Sequence, residues 1–186
     1  MNFKACAFLL AAITLAGIAA PVTNHVLANE NTVVARQSDM KSMAEAATLI
    51  DGMFKGTTSY DSELFKAAAE SIYKRSGSAL VAHFEGNPVI FGSKASSTIM
   101  SQREKFDSLA NDLGVYASSL SSAAQRHPDA LTQDMRMKAG DVIGLGPFGK
   151  KTDPAKAVLS MPAEHAFHML LQTCTSCHAK YRLKTD

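Results

Sequence analysis

The sequence predicts an all-α protein, an antiparallel four-helix bundle. Three observations carry that prediction: four stretches with apolar residues recurring every three or four positions, no convincing two-residue alternation, and connections that are mostly short. With 186 residues and 46% hydrophobic content, the chain can bury one full apolar core as a single domain.

The first helix is expected from about Thr32 to Lys55, with Val33, Gln37, Met40, Ala44, Ala47, Ile50 and Phe54 on one stripe and Gly56 as its stop. The second begins near Tyr60 to Ser62, capped by Asp61 or Ser62, and places Phe65, Ala68 and Ile72 together before Gly77. A third follows the irregular stretch FEGNPVIFGS and runs from near Ser93 to Ser97 through Ile99, Phe106, Leu109, Leu113, Tyr116 and Leu120 to about Gln125. The fourth opens near Pro154 or Pro162 and carries Phe167, Leu170, Cys174, Cys177 and Tyr181. Between the last two lies a long polar connection, about 126–153, in which QDMRMKAG suggests a short helix. Its Gly144, Gly146 and Gly149 match GxGxxG literally, but Pro147 interrupts them and no βαβ unit surrounds them, so they read as a surface loop.

Ahead of the bundle, residues 1–28 combine Lys4, an apolar run from about Ala5 to Ala20, and small residues at Val26 and Ala28 placed like a cleavage signal. They are read as a secretory signal peptide, leaving 29–186 as the bundle domain with a periplasmic location. A retained membrane anchor is the competing reading, and the run is shorter than the ~20 residues a spanning helix needs. Of the 19 basic and 17 acidic residues the leader removes one lysine, leaving a formal charge of +1. So balanced a chain advertises neither nucleic acid nor a membrane surface as partner.

The leader also takes Cys6, so the mature chain keeps two cysteines, both in the string CTSCH. On a helix, Cys174, Cys177 and His178 stand at i, i+3 and i+4, and two sulfurs and an imidazole project from one face. That is the arrangement required for two thioether bonds to the vinyl groups of one haem c, with His178 on its iron. A thioredoxin-like pair belongs at the start of a helix after a strand. A zinc site would have to recruit His165 and His168. A disulfide within a helix is strained and leaves His178 unexplained.

The place of this motif, at the C-terminal end of a helical chain, makes the sequence resemble the class II cytochromes c, the cytochrome c′ family. VVARQSDMKSM, FGSKASSTIMSQREKFDSLANDL and CTSCHAKYRLK carry the resemblance. It implies thioether bonds at Cys174 and Cys177, His178 as proximal iron ligand, Arg182 beside the proximal imidazole, and Arg36 and Gln37 near the haem propionates. Met100 departs from the family, standing where many members have tryptophan, and is expected to be a packing exchange; the 126–153 connection is longer than usual.

Met40 lies on the first helix's stripe, four residues after Arg36, and matches a family position that faces the distal side of the iron. Low-spin members use a methionine there as sixth ligand and carry electrons, whereas high-spin members leave that position open and bind nitric oxide or carbon monoxide. Met43, one turn on, is the reserve candidate, and His83, His127, His165 and His168 default to surface or core-edge roles. The expected function is that of a monohaem electron carrier cycling between Fe(III) and Fe(II), with His178 and Met40 as axial ligands. Redox proteins are its expected partners, homodimerisation through the first two helices is open, and substrate turnover is not expected. The alternative is a gas-binding protein.

Overall fold

The computed structural model describes the backbone of residues 23–85, 91–138 and 153–184, with side chains from residue 31 onward in those ranges. Its helices are α1 (Thr23–Lys55), α2 (Ser62–Lys74), α3 (Gly77–Ala82), α4 (Thr98–Ser101), α5 (Arg103–Arg126), α6 (Pro154–Ala157) and α7 (Ala163–Tyr181), with a 3-10 turn at Gln133–Met135. The four long helices α1, α2, α5 and α7 make the bundle, in which α5 packs on α2 and α7 and α1 packs on α2. Most of the signal-peptide reading falls on residues 1–22, outside the described residues, and so do Gly144, Gly146 and Gly149; α1 itself begins at Thr23.

Local chemistry sets most of the helix ends. Gly56 stops α1 with φ +72°, a left-handed conformation that costs glycine little, while the Thr57 N–H reaches the Gly52 carbonyl at 3.0 Å. Asp61 starts α2, its carboxylate accepting from the Leu64 N–H at 2.9 Å. Of the two prolines, Pro162 precedes α7, while Pro154 opens the separate short α6, which Asp153 caps.

Four features differ from the sequence reading. The third helix is broken at Gln102, whose φ of −129° and ψ of 40° divide α4 from α5. Gly77 does not close α2 but opens α3, with φ +57°, after a corner at the buried Ser76. On α1, Gln37 and Ala44 are exposed and Met40 and Ala47 half-buried, while Val33, Arg36, Met43, Ile50 and Phe54 are buried. The four outlying residues line a slot described below, which is why a stripe read as core is not closed over by neighbouring side chains. Met100 is 50% exposed on α4, beside the fully buried Ile99, so it does not serve as core packing.

The apolar interior is divided in two. The larger cluster centres on Ile50, Phe54, Phe65, Ile72, Leu120, Phe167 and Leu170, with the Phe54 ring 5.5 Å from Phe65 and 5.6 Å from Phe167. The smaller joins Leu80, Phe84, Ile99, Phe106, Ala110 and Tyr181. Met40 packs against both, Cys174 against the larger and Cys177 against the smaller.

Polar contacts tie down the ends. Arg136 donates through Nη1 to the Phe54 carbonyl at 2.6 Å and pairs through Nε with Glu164 at 3.2 Å, while Glu164 accepts from the Met137 N–H at 2.8 Å. The connection thus closes the end of α1 onto the first turn of α7, where a carboxylate also favours the helix dipole. At the opposite end, residues 93–97 clasp the last turn of α7. The Ser96 N–H donates to the Tyr181 carbonyl at 2.9 Å and the Leu183 N–H to the Lys94 carbonyl at 2.8 Å, around an isolated antiparallel bridge between Ala95 and Arg182.

Candidate functional site

Helices α1 and α7 meet at Phe54 and Phe167, and beyond that contact a slot lies between them. It consists of two adjoining cavities of about 420 and 430 Å³, both bordered by Met40 from α1 and by Cys177 and His178 from α7. Together they fall in the size range of small-molecule and cofactor sites. One half is chiefly aliphatic, with Met43, Ile72, Leu80, Leu109 and Leu113 in its wall beside Cys174. The other holds Arg36, Gln37, Lys94, Tyr181 and Arg182.

All seven residues singled out from the sequence therefore border this slot, Cys174 in the aliphatic half, Arg36, Gln37 and Arg182 in the polar half, and the other three in both. Met43, the reserve candidate, is buried in the aliphatic half. His83, His127, His165 and His168 lie outside its walls. His83 bonds Asp39 at 2.8 Å, and His127 contacts Thr132 and Asp134. Among the described residues no group of three or more His, Cys, Asp and Glu comes together to hold a metal ion, so His165 and His168 complete no zinc ligand set.

Cys174 and Cys177 are free thiols, both half-buried. Burial pushes the Cys174 thiol up, and burial followed by the neighbouring Cys174 raises Cys177 to about 11. Thiolates are thus disfavoured, the reverse of what a redox dithiol requires, whereas a thioether carries no charge. His178 shifts the other way. His178 is exposed at the edge of the slot, and its partial desolvation, followed by the Arg182 guanidinium, lowers its pKa in the direction of the neutral imidazole that a metal ligand must be.

Arg36 is buried, and burial lowers its pKa. Its Nε donates to the His83 carbonyl at 2.8 Å and its guanidinium lies 4.3 Å from the centre of the Phe84 ring. These contacts hold the arginine at the slot wall. Gln37, also in that wall, is exposed.

Phe106, Tyr181 and Lys94 of the polar half carry no site role in the sequence reading. Phe106 stands edge-on to Tyr181 at 5.4 Å, and the Tyr181 hydroxyl is buried without a hydrogen-bond partner. Lys94 arrives from the distant clasp. The spacing of Tyr181 was legible, since it follows Cys177 by one helical turn and shares its face; no local signal marks Lys94.

These residues fit a haem on three counts. The slot brings Cys174, Cys177 and His178 to one wall, burial disfavours a charge on either sulfur, and its two halves divide as the apolar ring and the carboxylates of haem do.

A family model described as Cytochrome C′ matches residues 31–142. That stretch ends before Cys174, so it is a line of evidence separate from the CTSCH motif. No curated protein matches. Among solved structures, cytochrome c′ from Thermochromatium tepidum is 21% identical with a TM-score of 0.57, and cytochrome c prime from Shewanella frigidimarina 18% identical with a TM-score of 0.57; each match covers 84% of this chain and 97% of the other. Ferric cytochrome c prime from Alcaligenes xylosoxidans is 22% identical with a TM-score of 0.59 over the same shares, and nitric oxide complexes of its mutants also match.

Proposed function

Because the chain belongs to the cytochrome c′ family, four-helix c-type cytochromes with one covalent haem c, we propose that it is a periplasmic one-electron carrier with His178 and Met40 as axial ligands. Cys174 and Cys177 would form the thioether bonds. When bound, haem supplies the Fe(III)/Fe(II) couple. The observation that carries the reading is that Met40, Cys177 and His178 are the three residues common to both halves of the slot. Met40 comes from α1 and His178 from α7, and a thioether is a soft donor that favours ferrous iron and raises the potential. Arg36 is suited to a propionate because a guanidinium can fork onto a carboxylate, and Gln37 and Arg182 border the same half. The partners in this reading are redox proteins. A homodimer is compatible with Val34 on α1 and Leu64 on α2, which are 58% and 53% exposed. Among the described residues no helix is long and apolar enough to cross a membrane.

A second reading, binding of nitric oxide or carbon monoxide, is favoured by the aliphatic cavity beside Met40 and by the nitric oxide complexes of the Alcaligenes relative. Absorption spectra of the ferric and ferrous protein separate the two. The carrier should be six-coordinate and low-spin and should not shift with carbon monoxide. Met40→Ala should turn the ferric spectrum high-spin and admit carbon monoxide; a spectrum unchanged by the substitution removes Met40 from the iron.

A further inference from the structure

Met40 is half-buried and borders both cavities of the slot. A methionine side chain is unbranched and flexible, so the place of its sulfur depends on how the helix that carries it is turned. One residue earlier stands Asp39, which does not border the slot and whose carboxylate is bound from two other elements. Its Oδ1 accepts from Arg75 Nε at 3.0 Å, at the end of α2, and its Oδ2 from His83 Nε2 at 2.8 Å, just after α3. Both partners are themselves held. Arg75 also donates through Nη1 to the Ser71 carbonyl at 3.0 Å and the Ser71 hydroxyl at 2.9 Å, and the His83 carbonyl accepts from Arg36 Nε at 2.8 Å.

Arg36 and Asp39 are three residues apart and neighbours on the surface of α1, so one helical turn grips His83 twice, by its carbonyl and by its ring. Met40 belongs to the same turn. Successive residues are set about 100° apart around a helix, so α1 cannot rotate or slide here without lengthening at least one of these bonds, and Met40 moves with it. The Arg75, Asp39 and His83 side chains are 32%, 29% and 25% exposed, and charged pairs this accessible contribute little stability. What they fix is geometry. We propose that Asp39 is a positioning residue: through Arg75 and His83 it sets the rotation of the α1 turn that carries Met40, and with it the reach of the Met40 sulfur to the iron of bound haem. This rests on the reading of Met40 as an axial ligand.

The test titrates the purified, haem-loaded ferric protein with cyanide, which must displace Met40 to reach the iron. Loosening the turn weakens the hold of Met40, so Asp39→Ala should bind cyanide about 2–30-fold more tightly than the parent. His83→Ala, which leaves Arg75 on the carboxylate, should shift the affinity the same way by less, and it decides the matter if Asp39→Ala does not fold. Glu164→Ala, which weakens the opposite end of the bundle, should leave the affinity unchanged. An unchanged affinity in Asp39→Ala overturns the proposal, as does an equal tightening in Glu164→Ala, which would make general loosening the cause. Met40→Ala separates this proposal from the reading beneath it. If removing the sulfur alters neither the spectrum nor the cyanide affinity, Met40 is not on the iron and both fall; if Met40→Ala tightens cyanide while Asp39→Ala does not, only the positioning role falls.

Discussion

Phe106 offers the sharpest test of how the smaller core cluster frames the slot. It is 2% exposed, and its ring stands edge-on to Phe84 at 5.0 Å and to Tyr181 at 5.4 Å. Such a pair contributes about 0.5–1.5 kcal/mol beyond the burial of area, so the two together contribute about 1–3 kcal/mol. Phe106→Leu keeps most of the buried surface but forfeits both ring contacts, and it should destabilise the protein by that amount. Phe106→Ala also loses the transfer energy and leaves a cavity, which brings the cost to about 3–5 kcal/mol. At roughly 2–4 °C per kcal/mol for a chain of this size, thermal unfolding followed by circular dichroism resolves the two variants. If the leucine variant is as stable as the parent, the edge-on geometry contributes nothing; if it costs as much as the alanine variant, the division between ring contact and burial is wrong.

Two further substitutions probe the bundle away from the slot. Glu164→Ala leaves the Met137 N–H and the Arg136 guanidinium without their shared acceptor, and should cost about 2–4 kcal/mol from the charged bond and the helix dipole, read from urea unfolding; a loss below about 0.5 kcal/mol would show that the clamp is incidental. Burial, followed by the Asp112 carboxylate, raises the Tyr116 pKa above 10.0, so the unfolded chain releases this proton first and stability falls as pH rises through 10 toward the folded value. Tyr116→Phe should make that alkaline limb shallower by up to about 1.4 kcal/mol per pH unit, and an unaltered limb refutes the assignment.

Features encoded within a few residues were legible in the sequence. Asp61 capping α2, Gly56 ending α1, a proline before α7 and the one-face arrangement of Cys174, Cys177 and His178 all depend on neighbours three or four positions away. What was not legible depends on the far side of the molecule. Gln37 and Ala44 fit the apolar period of α1, yet they are exposed because that arc of the helix borders a slot rather than another helix. The corner at Ser76 and Gly77 depends on α5, where a Cβ at Gly114 would come within 2.9 Å of Ser76 Oγ. Lys94 reaches the site through backbone pairing with Leu183, and a bridge one residue long leaves no two-residue alternation to detect. The family match over 31–142 supplies the fold on grounds that do not involve CTSCH, and the chemistry of the site still rests on those five residues.

The clasp between residues 93–97 and the end of α7 also bears on the order of events during maturation. Joining Ser96 to Tyr181 closes a loop that contains α4, α5, the long connection, α6 and α7, and closing it carries a larger entropic cost than any helix turn. On the proposed reading, thioether attachment at Cys174 and Cys177 can therefore precede closure of the clasp. The antiparallel bridge at Ala95 and Arg182 then acts as the latch that fixes the turns after His178.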